Sequence, residues 1–177
     1  RPAKPEPPQT EERRVTNYDS KTPLPAVILA YHIPGAGTPD SFAIEAASRI
    51  LSSGQSSRLY RRLVYEKQIA LQASGSGAFL EDSGLFFFFA ILNGGQKPED
   101  GEAELAAEID RLRNELVTDA ELEKAKTQLI AENTVGQQTV QQRADALGFA
   151  ATVLGNPELV NEEVARRLGG LHSAKIA

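Results

Sequence analysis

Ile69 to Leu92 reads IALQASGSGAFLEDSGLFFFFAIL. Its first part, Ile69 to Phe79, alternates: Ile69, Leu71 and Ala73 fall on one side, and Ala70, Gln72 and Ser74 on the other. Such a two-residue period is the mark of a β-strand. Leu85 to Leu92, LFFFFAIL, is apolar at every position, as expected of a strand buried on both faces. Between them Glu81-Asp82-Ser83-Gly84 has turn chemistry, so the two strands pair antiparallel.

Upstream, PAVILAYHI over Pro25 to Ile33 predicts a further strand, ended by Pro34-Gly35. Glu11 to Tyr18 is a candidate short edge strand. Asp40 is the expected N-cap of a helix running to about Ser52, with Phe42, Ile44, Ala47, Ile50 and Leu51 as its apolar stripe. Ser56 or Ser57 then caps a second helix to about Lys67, burying Leu59, Leu63 and Val64.

Downstream, Leu105, Ile109, Leu112 and Leu116 recur at helical spacing. Thr118-Asp119-Ala120-Glu121 has the form of a capping box opening a helix to about Asn133. A helix from about Gln138 to Leu154 stops at Gly155. Pro157 begins another that stops at Gly169-Gly170. The order predicts an α+β domain, an antiparallel-rich sheet with helices layered on one side.

Composition narrows the function. The 177 residues carry a net charge of −5, which speaks against a nucleic-acid partner. No cysteine is present, so disulfides, thiolate metal sites and a cysteine nucleophile are excluded. The longest apolar run is too short for a membrane span. A bacterial periplasm is the first expectation for the compartment and the cytoplasm the second. Residues 1–10, RPAKPEPPQT, hold four of the ten prolines and read as an extended interdomain linker. Residues 11–177 are then one domain, expected to be truncated at its C-terminus.

Catalytic zinc needs three protein ligands and an open position. The two histidines, His32 and His172, lie far apart in the chain, and neither belongs to a ligand motif. His32 is expected on a sheet face beside Ile28 and Ala30. The basic cluster Arg58, Arg61, Arg62 and Lys67 fits a solvated helix face better than a peptide contact. Phe86 to Phe89 reads as core rather than as a pocket lining.

Four stretches in order carry a resemblance. GQSSRLYRRLVYEKQIALQA at 54–73 is similar to the G-x-[ST]-S-R-L-[YF] segment of pitrilysin-type zinc metallopeptidases, the group that includes mitochondrial processing peptidase subunits. PAVILAYHIPG resembles the opening strand of the domain that carries that segment, TDAELEKAKTQL a later helix, and ALGFAATVLGNP the next helix and turn.

The resemblance implies a LuxS/MPP-like metallohydrolase-type fold and the non-catalytic C-terminal domain of an endopeptidase. In that family the zinc sits on an H-x-x-E-H motif in an N-terminal domain. This chain has no such motif, so on its own it is expected to be inactive and to hold no cofactor. Zinc is expected in an N-terminal domain of the same polypeptide or in a partner subunit. The partners implied are that catalytic domain and a peptide substrate.

Family members also present an arginine and a tyrosine to the peptide. The corresponding positions hold Val64 and Leu71, and Arg58 and Tyr65 are the remaining candidates for substrate contact. The alternative is a non-enzymatic scaffold or partner subunit of the same fold.

Overall fold

The computed structural model describes residues 9–169, 171, 172 and 176; the proline-rich 1–10 stretch therefore lies outside the described residues except for Gln9 and Thr10. Three strands form one antiparallel sheet: β1 (Ala26–Pro34), β2 (Ala70–Phe79) and β3 (Ser83–Leu92), in the order β1-β3-β2. The phenylalanine-rich strand is central, as its composition demands, because an edge of that kind invites aggregation. It pairs with β1 from Ala26↔Ile91 to Pro34↔Ser83 and with β2 from Ala70↔Leu92 to Phe79↔Gly84.

Among the described residues, only one face of β3 is fully covered. Phe86, Phe88, Ala90 and Leu92 are buried, whereas Leu85 and Phe87 are exposed and Phe89 and Ile91 half-buried. The expectation of a strand buried on both faces is thus corrected. Identity alone could not separate the two faces, since every side chain from Leu85 to Leu92 is apolar.

Helix α1 (Pro39–Ser52) crosses behind the sheet. Its N-cap is Thr38, whose side chain accepts from the Ser41 N–H, with Pro39 in the first turn; Asp40 lies inside the helix rather than capping it. The buried stripe runs through Ala43, Ala46, Ala47, Ile50 and Leu51, while Phe42 and Ile44 sit at its margin. Small side chains on that face let the helix approach β2 closely. Gly75 completes the fit, since a Cβ there would collide with the Phe88 ring. A Cβ at Gly77 would sit 2.8 Å from Phe79 Cε2.

The predicted second helix is wound differently. After a short helical turn at Arg58 and Leu59, Tyr60–Glu66 forms a π-helix, with the Lys67 N–H bonded to the Arg62 carbonyl at 3.0 Å. Hydrophobic spacing gives no notice of this wider winding. Leu59 and Leu63 are nevertheless fully buried, so the inward positions were legible even though the helix type was not.

Helix α2 (Pro98–Asn114) completes the layer behind the sheet, burying Leu105 and Leu112. It ends before Leu116, which is exposed; Val117 takes the buried place. Helices α3 (Asp119–Val135), α4 (Val140–Thr152) and α5 (Leu159–Leu168) come next, with α3 against α1 and α5 against both α3 and α4. Both capping-box bonds at Thr118 and Glu121 are present, and Thr139 with Gln142 forms a second box. Pro157 stands in the turn before α5.

Glu11 to Tyr18 forms no strand. That stretch is held instead by Arg14, whose guanidinium donates to both carboxylate oxygens of Glu102 on α2, at 2.7 and 2.5 Å. The pair raises the Arg14 pKa and lowers that of Glu102. No described helix is long and apolar enough to cross a membrane.

Candidate functional surface

Three backbone irregularities succeed one another between Tyr60 and Gln72. The π-helix is the first, and windings of that type are rare and concentrate at functional positions. Gln68 is the second, a non-glycine residue at φ 54°. The Asn93 side-chain amide donates to the Gln68 carbonyl at 2.6 Å, and the Asn93 N–H to the Ile69 carbonyl at 2.9 Å. The third is a β-bulge: Ala70 pairs with Leu92 and Gln72 with Ile91, leaving Leu71 unpaired between them.

Together they turn two large side chains outward, Tyr65 at 74% exposure and Leu71 at 60%. Strict alternation would have put Leu71 on the same side as buried Ala73; the extra residue breaks that parity. Val64 is half-buried against the core.

The basic cluster is ion-paired within the molecule, with Arg58 largely buried and Arg61, Arg62 and Lys67 still open to solvent. Arg58 Nε and Nη2 donate to the two oxygens of Glu121 at 2.6 and 2.9 Å, and the arginine side chain is only 12% exposed. This hydrogen bonding pulls the Glu121 carboxyl down from its ordinary value to about 2. Arg62 Nε donates to Glu104 at 2.7 Å, and Lys67 reaches the same carboxylate at 3.2 Å. Burial alone would raise the Glu104 pKa, but these two donors outweigh it and lower it. Arg61 faces Glu66 at 3.5 Å.

Among the described residues, the side of the sheet away from the helices carries exposed apolar side chains. Its rows are set by the register: Ile28, Phe89 and Ser74; Ala30, Phe87 and Ser76; His32, Leu85 and Ala78. Ala26, Ile91 and Gln72 extend it toward the bulge. Ile28 is 70% exposed, Leu85 46% and Phe87 36%. His32 lies in this face with Ile28 and Ala30, where strand parity put it. The Phe86 to Phe89 run thus divides, two rings entering the core and two facing outward.

Among the described residues no three His, Cys, Asp or Glu side chains converge so as to hold a metal ion. His32 stands among apolar neighbours on the sheet, and His172 is exposed beyond α5. The donor set therefore does not fit a catalytic zinc.

Comparison with known proteins agrees with this picture. The family described as the Peptidase M16 inactive domain matches residues 1–129. The zinc protease PqqE of Helicobacter pylori is 35% identical over 121 residues, covering 68% of this chain. The chain spans only 27% of that relative's length. A protease from Helicobacter pylori superposes with a TM-score of 0.79 at 27% identity, over 89% of this chain and 38% of the other. The inactive peptidase domain of a Bordetella parapertussis protein gives a TM-score of 0.75 at 26% identity, over 85% of this chain and 79% of its own.

Proposed function

Because this chain belongs to the M16 peptidase inactive-domain family, we propose that it is the substrate-enclosing, non-catalytic domain of a zinc-dependent endopeptidase. The observation that carries the reading is the uncovered sheet face, with Ile28, Leu85 and Phe87 exposed on it. A contiguous apolar surface of this kind marks a place where something else docks. A domain whose task is to close over a peptide needs such a wall and needs no metal ligands of its own. Water activation and the zinc belong to the catalytic domain that pairs with it.

Tyr65 and Leu71 are the side chains proposed to meet the peptide at the rim. Both project from the irregular segment, and Leu71 is the residue its β-bulge leaves unpaired. An aliphatic group in that place offers the peptide a dry contact without a hydrogen-bond donor. Arg58 is not proposed as a contact, because both its bonds to Glu121 would have to break first.

The test uses the parent protein, with and without this domain, on an unstructured peptide. Deletion is expected to leave zinc content intact while peptide hydrolysis falls to background, and adding the domain in trans is expected to restore part of it. Hydrolysis that proceeds unchanged without the domain overturns the enclosing role. An intact parent that binds its partner but cleaves nothing identifies the scaffold alternative.

A further inference from the structure

We infer that the open sheet face receives an extended, uncharged peptide segment carrying large apolar side chains at alternate positions. This rests on the enclosing role proposed above and names the substrate class that the wall selects.

Charge is the first argument. The rows built on Leu85, Phe87, Phe89 and Ile91 contain no Asp, Glu, Lys or Arg on any of the three strands, and His32 is their one titratable member. This is unusual for a chain in which 24% of residues are charged. A peptide carboxylate or ammonium laid on that surface would lose water and gain no counter-charge, a large penalty. A leucine or phenylalanine laid there gains burial instead.

Spacing is the second argument. The outward side chains of β3 recur every second residue, about 7 Å apart along the strand. Extended peptides present same-side groups at the same interval, so successive apolar groups meet successive rings. The relief across the strands points the same way. Phe89 and Phe87 step down to Ser74 and Ser76 on β2, leaving a low strip beside the rings.

The full 177-residue chain can be titrated into a short fluorescein-labelled peptide that alternates Phe or Leu with Ser. Control peptides carry Glu or Lys in place of the apolar residues. Anisotropy is expected to show the apolar peptide bound at least about tenfold tighter than either control. The paired substitution Ile28→Ser with Phe87→Ser is expected to weaken that binding about tenfold while the circular dichroism spectrum is kept. Should the pair lower stability, Ile28→Ser alone carries the test, because that side chain is 70% exposed.

Equal binding of the charged peptides overturns the inference, as does apolar binding indifferent to the substitutions. Self-association removed by those substitutions, with no peptide bound, identifies a second copy as the occupant and overturns it too. Failure here is distinguishable from failure of the enclosing role. If deleting the domain abolishes hydrolysis but cleavage shows no preference for apolar segments, enclosure stands and selectivity falls. If apolar peptides bind but deletion leaves hydrolysis untouched, the reverse holds.

Discussion

Arg58 grips Glu121 through two parallel hydrogen bonds of 2.6 and 2.9 Å, and the same carboxylate accepts the Thr118 N–H at 3.0 Å to close a helix cap. One side chain thus joins the turn before the π-helix to the start of α3. Arg58→Ala removes both bonds and leaves the partly buried carboxylate without its cation. We expect a loss of about 2 kcal/mol in urea unfolding. Arg58→Lys should recover little of it, because an ammonium cannot reproduce the planar two-point contact. A lysine variant as stable as the parent would show that charge alone suffices.

Acid should reveal the same pair. The folded Glu121 carboxyl titrates near 2, below its ordinary 4.5, because Arg58 hydrogen-bonds its charged form. A carboxyl depressed on folding adds stability that is complete above the unfolded value and disappears as pH falls through the folded one. The loss therefore falls between about pH 4.5 and 2. Glu104 is shifted in the same direction. Thermal melts of Glu121→Gln across that window should decline less steeply than those of the parent. Parallel curves would remove the pair from the explanation.

Neighbouring phenylalanines should respond oppositely to charge. Phe88 is 1% exposed, packs 4.3 Å from Phe86 between ring centroids, and lies over Gly75. Phe88→Asp should abolish folding, since it buries an unpaired charge. Phe87→Asp faces outward and should leave a folded, more soluble domain. Soluble expression and a cooperative melt distinguish them; identical behaviour of the two would mean that the outer face is covered after all.

Asn93 pins a strained residue. Gln68 adopts a left-handed conformation that costs on the order of 1 kcal/mol, and the Asn93 amide holds its carbonyl at 2.6 Å. Asn93→Ala should therefore destabilise by about 1 kcal/mol, whereas Gln68→Gly should be close to neutral. Chemical denaturation of the two variants checks this, and a neutral Asn93→Ala would place the control elsewhere.

The three strands of the sheet, the antiparallel hairpin, the Thr118 cap and the one-sided helix layer were legible in composition and period, whereas Glu11 to Tyr18 was not a strand, and the features that escaped have local causes. The facing of β3 was hidden because all its residues from Leu85 onward are apolar, so no polar position marks the open side. The bulge inserts one residue into the strand period, and the π-winding widens the helical one over Tyr60–Glu66. The bulge flips the parity of the strand residues beside it, and this is why a strict two-residue period groups Leu71 with Ala73. Arg58 looked available because its partner Glu121 is remote in sequence.

The strand order has a consequence for how the chain reaches this state. β2 and β3 are joined by a short turn and can zip up as soon as both exist. Among the described residues β1 pairs with β3, and its partners run from Ile91 back to Ser83. During synthesis the apolar AVILAYHI segment must therefore wait while α1, the π-helix and β2 are made. Until then it has no ladder to join, and closing so long a loop is slow. Helix α1 offers it an interim shelter, because the alanine face that finally packs on the sheet comes directly after β1 in the chain. Folding speed and losses to aggregation should thus depend on the small residues of α1 more than on the phenylalanines that dominate the finished core.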